Sequence, residues 1–128
     1  MPYRLLLTTH HITSRAKIQR LTRAAEQQRV SVLIKKTHKP PGIMICEGDT
    51  EKAAREWLSI VKGLRYKGYR FVTGQQLPGP RILNNGKDGT RAVDGTDEFN
   101  LELDNLSMDP GETSLKTWWK TAMGFKSL

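Results

Sequence analysis

Cysteines, long apolar runs and export signals are scarce in this sequence. Cys46 is the only cysteine, so no internal disulfide can form and nothing indicates an oxidising compartment. No stretch approaches the roughly 18 apolar residues that a membrane-spanning helix needs. The opening MPYRLLLTTHHI has too short an apolar run for a secretory signal. The sequence therefore predicts an intracellular chain without a membrane segment.

Motifs for phosphate-dependent and metal-dependent catalysis are missing as well. A phosphate-cradling loop needs the pattern G-x-x-x-x-G-K-[ST], whereas Gly79 and Gly86 are wrongly spaced and Asp88 follows Lys87. The three histidines do not have the spacing of a zinc site. We therefore expect a protein that is not an enzyme, acts on no small-molecule substrate and needs no cofactor or metal.

Several chemically versatile side chains lie in unpromising settings. Cys46 belongs to the apolar run IMIC, which predicts a buried and inert thiol. Asp94, Asp97 and Glu98 lack the spacing of a calcium loop, and we expect them to be solvated. Trp57 falls on a helical apolar stripe and is predicted to be a core residue.

Positive charge is what the sequence has in excess, and it is concentrated in one part of the chain. Residues 1–73 hold 15 Lys+Arg against 5 Asp+Glu, whereas residues 74–128 hold 6 against 8. A basic module attracts polyanions, because each neutralised phosphate releases condensed counterions. The alternative is that these charges only keep a small domain soluble.

The first 73 residues carry alternating signals for strands and helices. Short β-prone runs alternate with longer segments whose apolar residues recur at helical spacing. The predicted elements are strands at 3–9, 30–36, 43–47 and 69–73, a helix from Arg15 to about Arg29, and a helix capped by Asp49 or Thr50. This βαββαβ order predicts an α+β, ferredoxin-like fold, an antiparallel sheet with both helices on one face.

The rest of the chain is predicted to complete the same single domain, residues 1–128. Residues 74–98 are dense in Gly, Pro, Asn and Asp, which predicts a long flexible loop. Residues 99–103 alternate in polarity and predict a short edge strand. Asp109-Pro110-Gly111-Glu112 is typical of a helix start, and the helix that follows carries Trp118 and Trp119, of which one is expected to be anchored and the other partly exposed.

A basic surface is the candidate functional site. It combines cations of the first helix with those at the tip of the hairpin between the second and third strands. The candidate residues are Arg15, Lys17, Arg20, Arg23, Lys35, Lys36, His38 and Lys39. The third strand has no aromatic on which a base could stack, so such a surface would contact the phosphates and shape of a duplex rather than single-stranded bases.

Several of these segments resemble a known family. The stretches HHITSRAKIQRLTRAA and PPGIMICEGDTEKAAREWLSIVKGLRYKGYRFV are similar to the C-terminal domain of the spliceosomal pre-mRNA-processing factor three, a domain that also follows RWD domains in other proteins. The segment MDPGETSLKTWWKTAMGF looks like that family's closing helix. The resemblance implies a ferredoxin-like fold and binding of a small nuclear RNA duplex.

These observations predict a non-catalytic RNA-binding domain linked to pre-mRNA splicing, acting in the nucleus rather than the cytoplasm. Its partner would be duplex or structured RNA, bound through the basic surface. The alternative is a protein–protein interaction module of the kind linked to RWD domains. Such a module would dock a protein partner through its sheet face or its tryptophan-bearing helix.

Overall fold

Five strands form one sheet in the order β4-β1-β3-β2-β5. The computed structural model describes residues 1–106 and 115–124. Its strands are β1 (Tyr3–Thr9), β2 (Val30–Lys36), β3 (Gly42–Gly48), β4 (Arg70–Gln76) and β5 (Gly89–Asp94). Its helices are α1 (Arg15–Gln28), α2 (Glu51–Gly63), α3 (Gly95–Asn105) and α4 (Leu115–Ala122). The predicted α+β, ferredoxin-like fold is confirmed.

Polar side chains set the starts of the first two helices. The Ser14 hydroxyl accepts from the Lys17 amide and caps α1, and the Thr50 hydroxyl accepts from the Ala53 amide and caps α2. Each cap satisfies one of the amides that a helix leaves unpaired at its start. The helices begin where the sequence predicts them.

Apolar residues of α1 and α2 pack on one face of the sheet. Every second residue of β2 (Val30, Val32, Ile34) belongs to this layer between the sheet and helices α1 and α2, because successive side chains of a strand point to opposite faces. Trp57 is fully buried there, and its indole N–H donates to the Leu21 carbonyl at 3.3 Å. Its predicted place in the core is confirmed.

The opposite face of the sheet is covered by α3 and α4, and here the chain departs from the sequence prediction. Residues 74–98 contain a fifth strand, because β5 pairs in parallel with β2. Residues 99–103 are helical, because Phe99 and Leu103 are spaced four apart and both are buried against the sheet. The predicted long loop and edge strand are wrong over these ranges.

The C-terminal helix buries one of its two adjacent tryptophans. Trp119 is 5% exposed and meets Phe99 edge-on at 5.2 Å between ring centroids, whereas Trp118 is half-buried. The predicted division between an anchored and a partly exposed tryptophan is confirmed. The predicted helix start at 109–112 lies outside the described residues.

Strand β4 forms one edge of the sheet and is irregular. Leu6 pairs with Thr73 and Leu7 with Phe71, so Val72 is an extra residue, a β-bulge. The side chains of Arg70 and Phe71 at the start of this edge are exposed. Among the described residues no helix is both long and apolar enough to cross a membrane.

Candidate binding cleft

A cavity of about 790 Å³ opens where α1 begins, β2 ends and β5 runs into α3. Its apolar lining comes from Ile12, Ile18 and Ala92. Its polar and charged lining comes from Thr13, Arg15, Gln19, Lys36, Thr37, His38, Lys39 and Asp94. The volume lies within the range of about 300–1,000 Å³ typical of small-molecule sites, although more polar and charged residues line this cleft than is usual for such sites.

Four of the eight predicted site residues come together in this cleft. Arg15 opens α1, Lys36 closes β2, and His38 and Lys39 lie at the hairpin tip. Arg15, His38 and Lys39 are exposed and Lys36 is half-buried, so all four can meet a ligand from solvent. The sequence prediction thus located part of a real cationic cluster.

Backbone dipoles add to the positive character of the cleft. The first turn of α1 contains no acidic residue, so nothing there offsets the partial positive charge at the start of a helix. The start of α3 also lies at the cleft, through Asp94 and Gly95. Among the lining residues that the structure describes, Asp94 is the only carboxylate, and it forms an ion pair with Lys36 at 3.2 Å. The cleft therefore favours an anionic ligand.

Lys35 does not belong to this surface. It sits one residue from Lys36 on β2 and consequently points to the other face of the sheet. There it is 5% exposed, and its ammonium donates to the Pro41 carbonyl at 3.3 Å. Burial lowers the pKa of Lys35. The prediction that Lys35 contacts RNA is wrong, because adjacent residues of a strand point to opposite faces of the sheet and Lys35 is on the buried side.

The remaining predicted cations of α1 lie outside the cleft. The Lys17 ammonium sits over the Tyr66 ring at 4.7 Å from its centroid. Arg20 and Arg23 are exposed and do not line the cavity. Of the four cations expected on one basic side of this helix, only Arg15 therefore lines the cleft.

Some cleft residues were not identified from the sequence. The prediction that Asp94 is solvated is confirmed, since its side chain is 74% exposed, but its position just before α3 and its ion pair with Lys36 were not predicted. Acidic residues at 97 and 98 just before Phe99 are a recognisable signal for a helix start, so this junction was detectable. The contribution of Ala92 follows from the parallel pairing of β5 with β2, which no local pattern reveals.

Other reactive groups in the described part of the chain have structural settings. Cys46 is fully buried, and burial, followed by the charge of Glu47, raises the pKa of its thiol well above the usual value. The predicted burial of this thiol is confirmed. Within residues 1–106 and 115–124, no cluster of three or more His, Cys, Asp or Glu side chains is arranged to hold a metal ion.

The buried phenol of Tyr66 should make the stability of the fold depend on pH under alkaline conditions. Tyr66 is 8% exposed, its hydroxyl has no hydrogen-bond partner, and burial raises its pKa to about 12 from 10.0. Burial of the protonated phenol therefore imposes no pH-dependent cost below pH 10. As the pH rises from 10 towards 12, the phenol ionises more readily in the unfolded chain, and the free energy of unfolding falls.

We expect Tyr66→Phe to remove part of the alkaline loss of stability. Between pH 10 and 12 the wild type should lose up to about 1.4 kcal/mol per pH unit more than the variant. Urea unfolding at pH 7, 10 and 11.5 measures the difference. Tyr3→Phe is the control, and equal slopes for wild type and Tyr66→Phe would contradict the assignment.

Comparison with solved structures shows which proteins share this architecture. BlrP1 of Klebsiella pneumoniae, solved with FMN and cyclic diGMP and without metal ions, superposes with a TM-score of 0.71 at 14% identity, over 96% of this chain and 35% of that one. The BLUF domain of BlrP1 alone gives 0.65 at 16% identity, over 95% and 88%. The chain shares the BLUF fold. BlsA in its photo-activated state gives 0.56 at 12% identity, over 93% and 82%.

The comparisons overturn the resemblance to the splicing-factor domain. No family model and no curated protein matches the chain, and the similar structures include BlrP1, its isolated BLUF domain and BlsA. The expectations of RNA binding, a splicing role and a nuclear location are wrong with it. The ferredoxin-like pattern and basic charge that suggested them are shared by proteins of unrelated function.

The expectation of a chain without a small-molecule ligand also needs revision, since one similar structure contains FMN. The layer between α1, α2 and the sheet does not suit a flavin, because Leu21, Ala25 and Trp57 are fully buried within one apolar cluster. A ring inserted there would have to displace close-packed side chains. The cleft at the start of α1 does suit FMN, since it offers volume, an apolar lining and cations.

Proposed function

We propose that this chain is a non-catalytic ligand-binding domain, of the sensory kind seen in the structures it resembles. Its ligand is a phosphorylated small molecule that carries an apolar ring, bound in the cleft at the start of α1. The observation that supports this proposal is the convergence of Arg15, Lys36, His38 and Lys39 on a cavity of about 790 Å³.

The phosphate would be held by the cationic side of the cleft. Arg15 presents a planar fork of donors that matches two phosphate oxygens, while Lys36 and Lys39 act as point charges. The uncompensated start of α1 adds backbone amides with partial positive charge. These donors surround an anion from two sides, α1 on one and the hairpin tip on the other.

The ring would lie on the apolar side of the cleft. Ile12 is fully buried behind the cleft and is held by backbone hydrogen bonds in both directions with Thr37. The apolar surface that a ring could cover comes from Ile18 on α1 and Ala92 on β5, which are only partly buried. Such a wall favours a flat apolar group through burial of about 25 cal/mol per Å².

FMN is the first ligand to test, because it combines a phosphate with a large apolar ring. Bound flavin would supply absorption of blue light. The residues that line the cleft in the described part of the chain include no tyrosine, tryptophan or cysteine, the side chains that are most readily oxidised. The proposal is accordingly one of ligand binding rather than of flavin photochemistry.

We expect the double variant Arg15→Gln/Lys39→Gln to lose at least about tenfold in affinity for FMN, because hydrogen bonds to charged groups contribute about 1.5–3 kcal/mol each. Isothermal titration calorimetry of the purified chain with FMN measures the affinity directly. Riboflavin, which lacks the phosphate, should bind weakly to wild type and variant alike.

The matched control is Arg20→Gln/Arg23→Gln, which removes the same charge from exposed positions outside the cleft. It should retain affinity for FMN within about twofold, since exposed charges at a distance are largely screened by salt. The proposal is overturned if FMN and inorganic phosphate both fail to bind wild type, or if the two double variants weaken FMN binding equally.

A further inference from the structure

The Asp94 carboxylate lines the cationic cleft and pairs with one of its cations. The partner is the Lys36 ammonium at 3.2 Å, and the two residues are also register partners at the ends of β5 and β2. The pair is open to water, with the Asp94 side chain 74% exposed and that of Lys36 37% exposed. Exposed pairs of this kind are weak, so an incoming anion can take the place of the carboxylate.

Asp94 also stands at the position where a helix cap is expected. It immediately precedes α3 with extended backbone angles, φ −99° and ψ 115°, yet its side chain caps no amide. The Asp94 amide donates to the Glu98 carboxylate at 2.8 Å, so one side chain of α3 already reaches back to this residue. The side-chain cap that is missing would be a bond from the amide of Thr96 or Asp97 to the Asp94 carboxylate.

We propose that Asp94 is a two-position switch that links the cleft to α3. Without ligand its carboxylate holds Lys36; when an anion takes Lys36, the carboxylate turns to cap α3. Asp94 thereby sets the affinity of the cleft, because every anion competes with it. This inference rests on the proposed function, since an anionic ligand supplies the displacement.

The switch carries ligand occupancy to the opposite face of the sheet. Phe99 and Leu103 of α3 are fully buried there, and Phe99 meets Trp119 of α4. Gly95, between Asp94 and the rest of α3, has a left-handed backbone with φ +75°, a conformation that glycine adopts without steric cost.

Two substitutions separate the roles of Asp94. Asp94→Asn cannot hold Lys36 as an ion pair but remains an effective cap, whereas Asp94→Ala loses both roles. Without ligand, we expect the amides of residues 96–99 to exchange with solvent at least about twofold more slowly in Asp94→Asn than in Asp94→Ala. Both variants should bind inorganic phosphate up to about fivefold more tightly than wild type.

Hydrogen–deuterium exchange read by NMR, with a phosphate titration on the same samples, provides both quantities. Phosphate should slow exchange at residues 96–99 in wild type and leave Asp94→Ala unchanged. Equal exchange at these amides in the two variants would overturn the switch, even if phosphate binds. Failure of phosphate and FMN to bind, with the exchange order retained, would instead overturn the proposed function and support the cap role of Asp94.

Discussion

Replacing Glu47 with alanine is expected to lower the free energy of unfolding by about 3–5 kcal/mol. Glu47 is fully buried on the face covered by α3 and α4, and its carboxylate accepts from Arg4 Nε at 2.6 Å. It also accepts from the amides of Ile82 and Leu83 at 2.7 and 2.8 Å. The substitution would leave a buried guanidinium and two amides without their partner, and each unsatisfied group costs free energy.

Urea unfolding followed by circular dichroism measures this loss, and two further variants define its cause. Glu51→Ala removes an exposed ion pair with Arg55 and should cost only about 0.3–0.5 kcal/mol. Arg4→Met/Glu47→Leu removes both buried charges together and should recover the part of the loss that comes from the unpaired guanidinium, while the amides of Ile82 and Leu83 remain without an acceptor. A loss under about 1 kcal/mol in Glu47→Ala would show that this buried pair does not anchor the segment at 82–83.

Trp57→Ala is expected to destabilise the fold by about 3–5 kcal/mol, the usual cost of removing a buried aromatic ring. Trp57 is fully buried in the layer between the sheet and helices α1 and α2, and its N–H donates to the Leu21 carbonyl on α1. The ring therefore joins the two helices both by packing and by a hydrogen bond. Since small domains are stable by about 5–15 kcal/mol, this loss is a large fraction of the total free energy of unfolding.

Trp57→Phe separates the two contributions. It keeps most of the ring but not the donor, so we expect a loss of about 1–2 kcal/mol, from one hydrogen bond and a small volume change. Thermal unfolding of the three proteins in parallel gives the order wild type, phenylalanine, alanine. Equal melting temperatures for wild type and Trp57→Ala would mean that the helix layer does not depend on this ring.

The first half of the fold was predictable because its signals are local. Helix caps at Ser14 and Thr50, the apolar stripe around Trp57 and the β-branched residues of β2 are each recognisable from neighbours in sequence. The second half depends on distant pairing. Gly89–Asp94 reads as a loop by composition, and it becomes a strand only because β2 offers it a parallel partner.

The candidate site was predictable only in part, for a geometric reason. Sequence identifies basic side chains but not which face each one occupies, so Lys35 and Lys36 were treated alike although only Lys36 lines the cleft. Asp94 reaches the same cleft only because β5 pairs with β2, which is distant in sequence. Positive charge by itself predicted an anion and could not distinguish a polymer from a small molecule.

The bulge at Val72 has a consequence for the behaviour of the protein at high concentration. An uninterrupted outer strand would offer a regular row of backbone donors and acceptors to another chain. The extra residue between Thr73 and Phe71 breaks that row, and the exposed charge of Arg70 stands at its start. The β4 side of the sheet is thereby a poor template for strand addition, which favours monomers over edge-to-edge fibres.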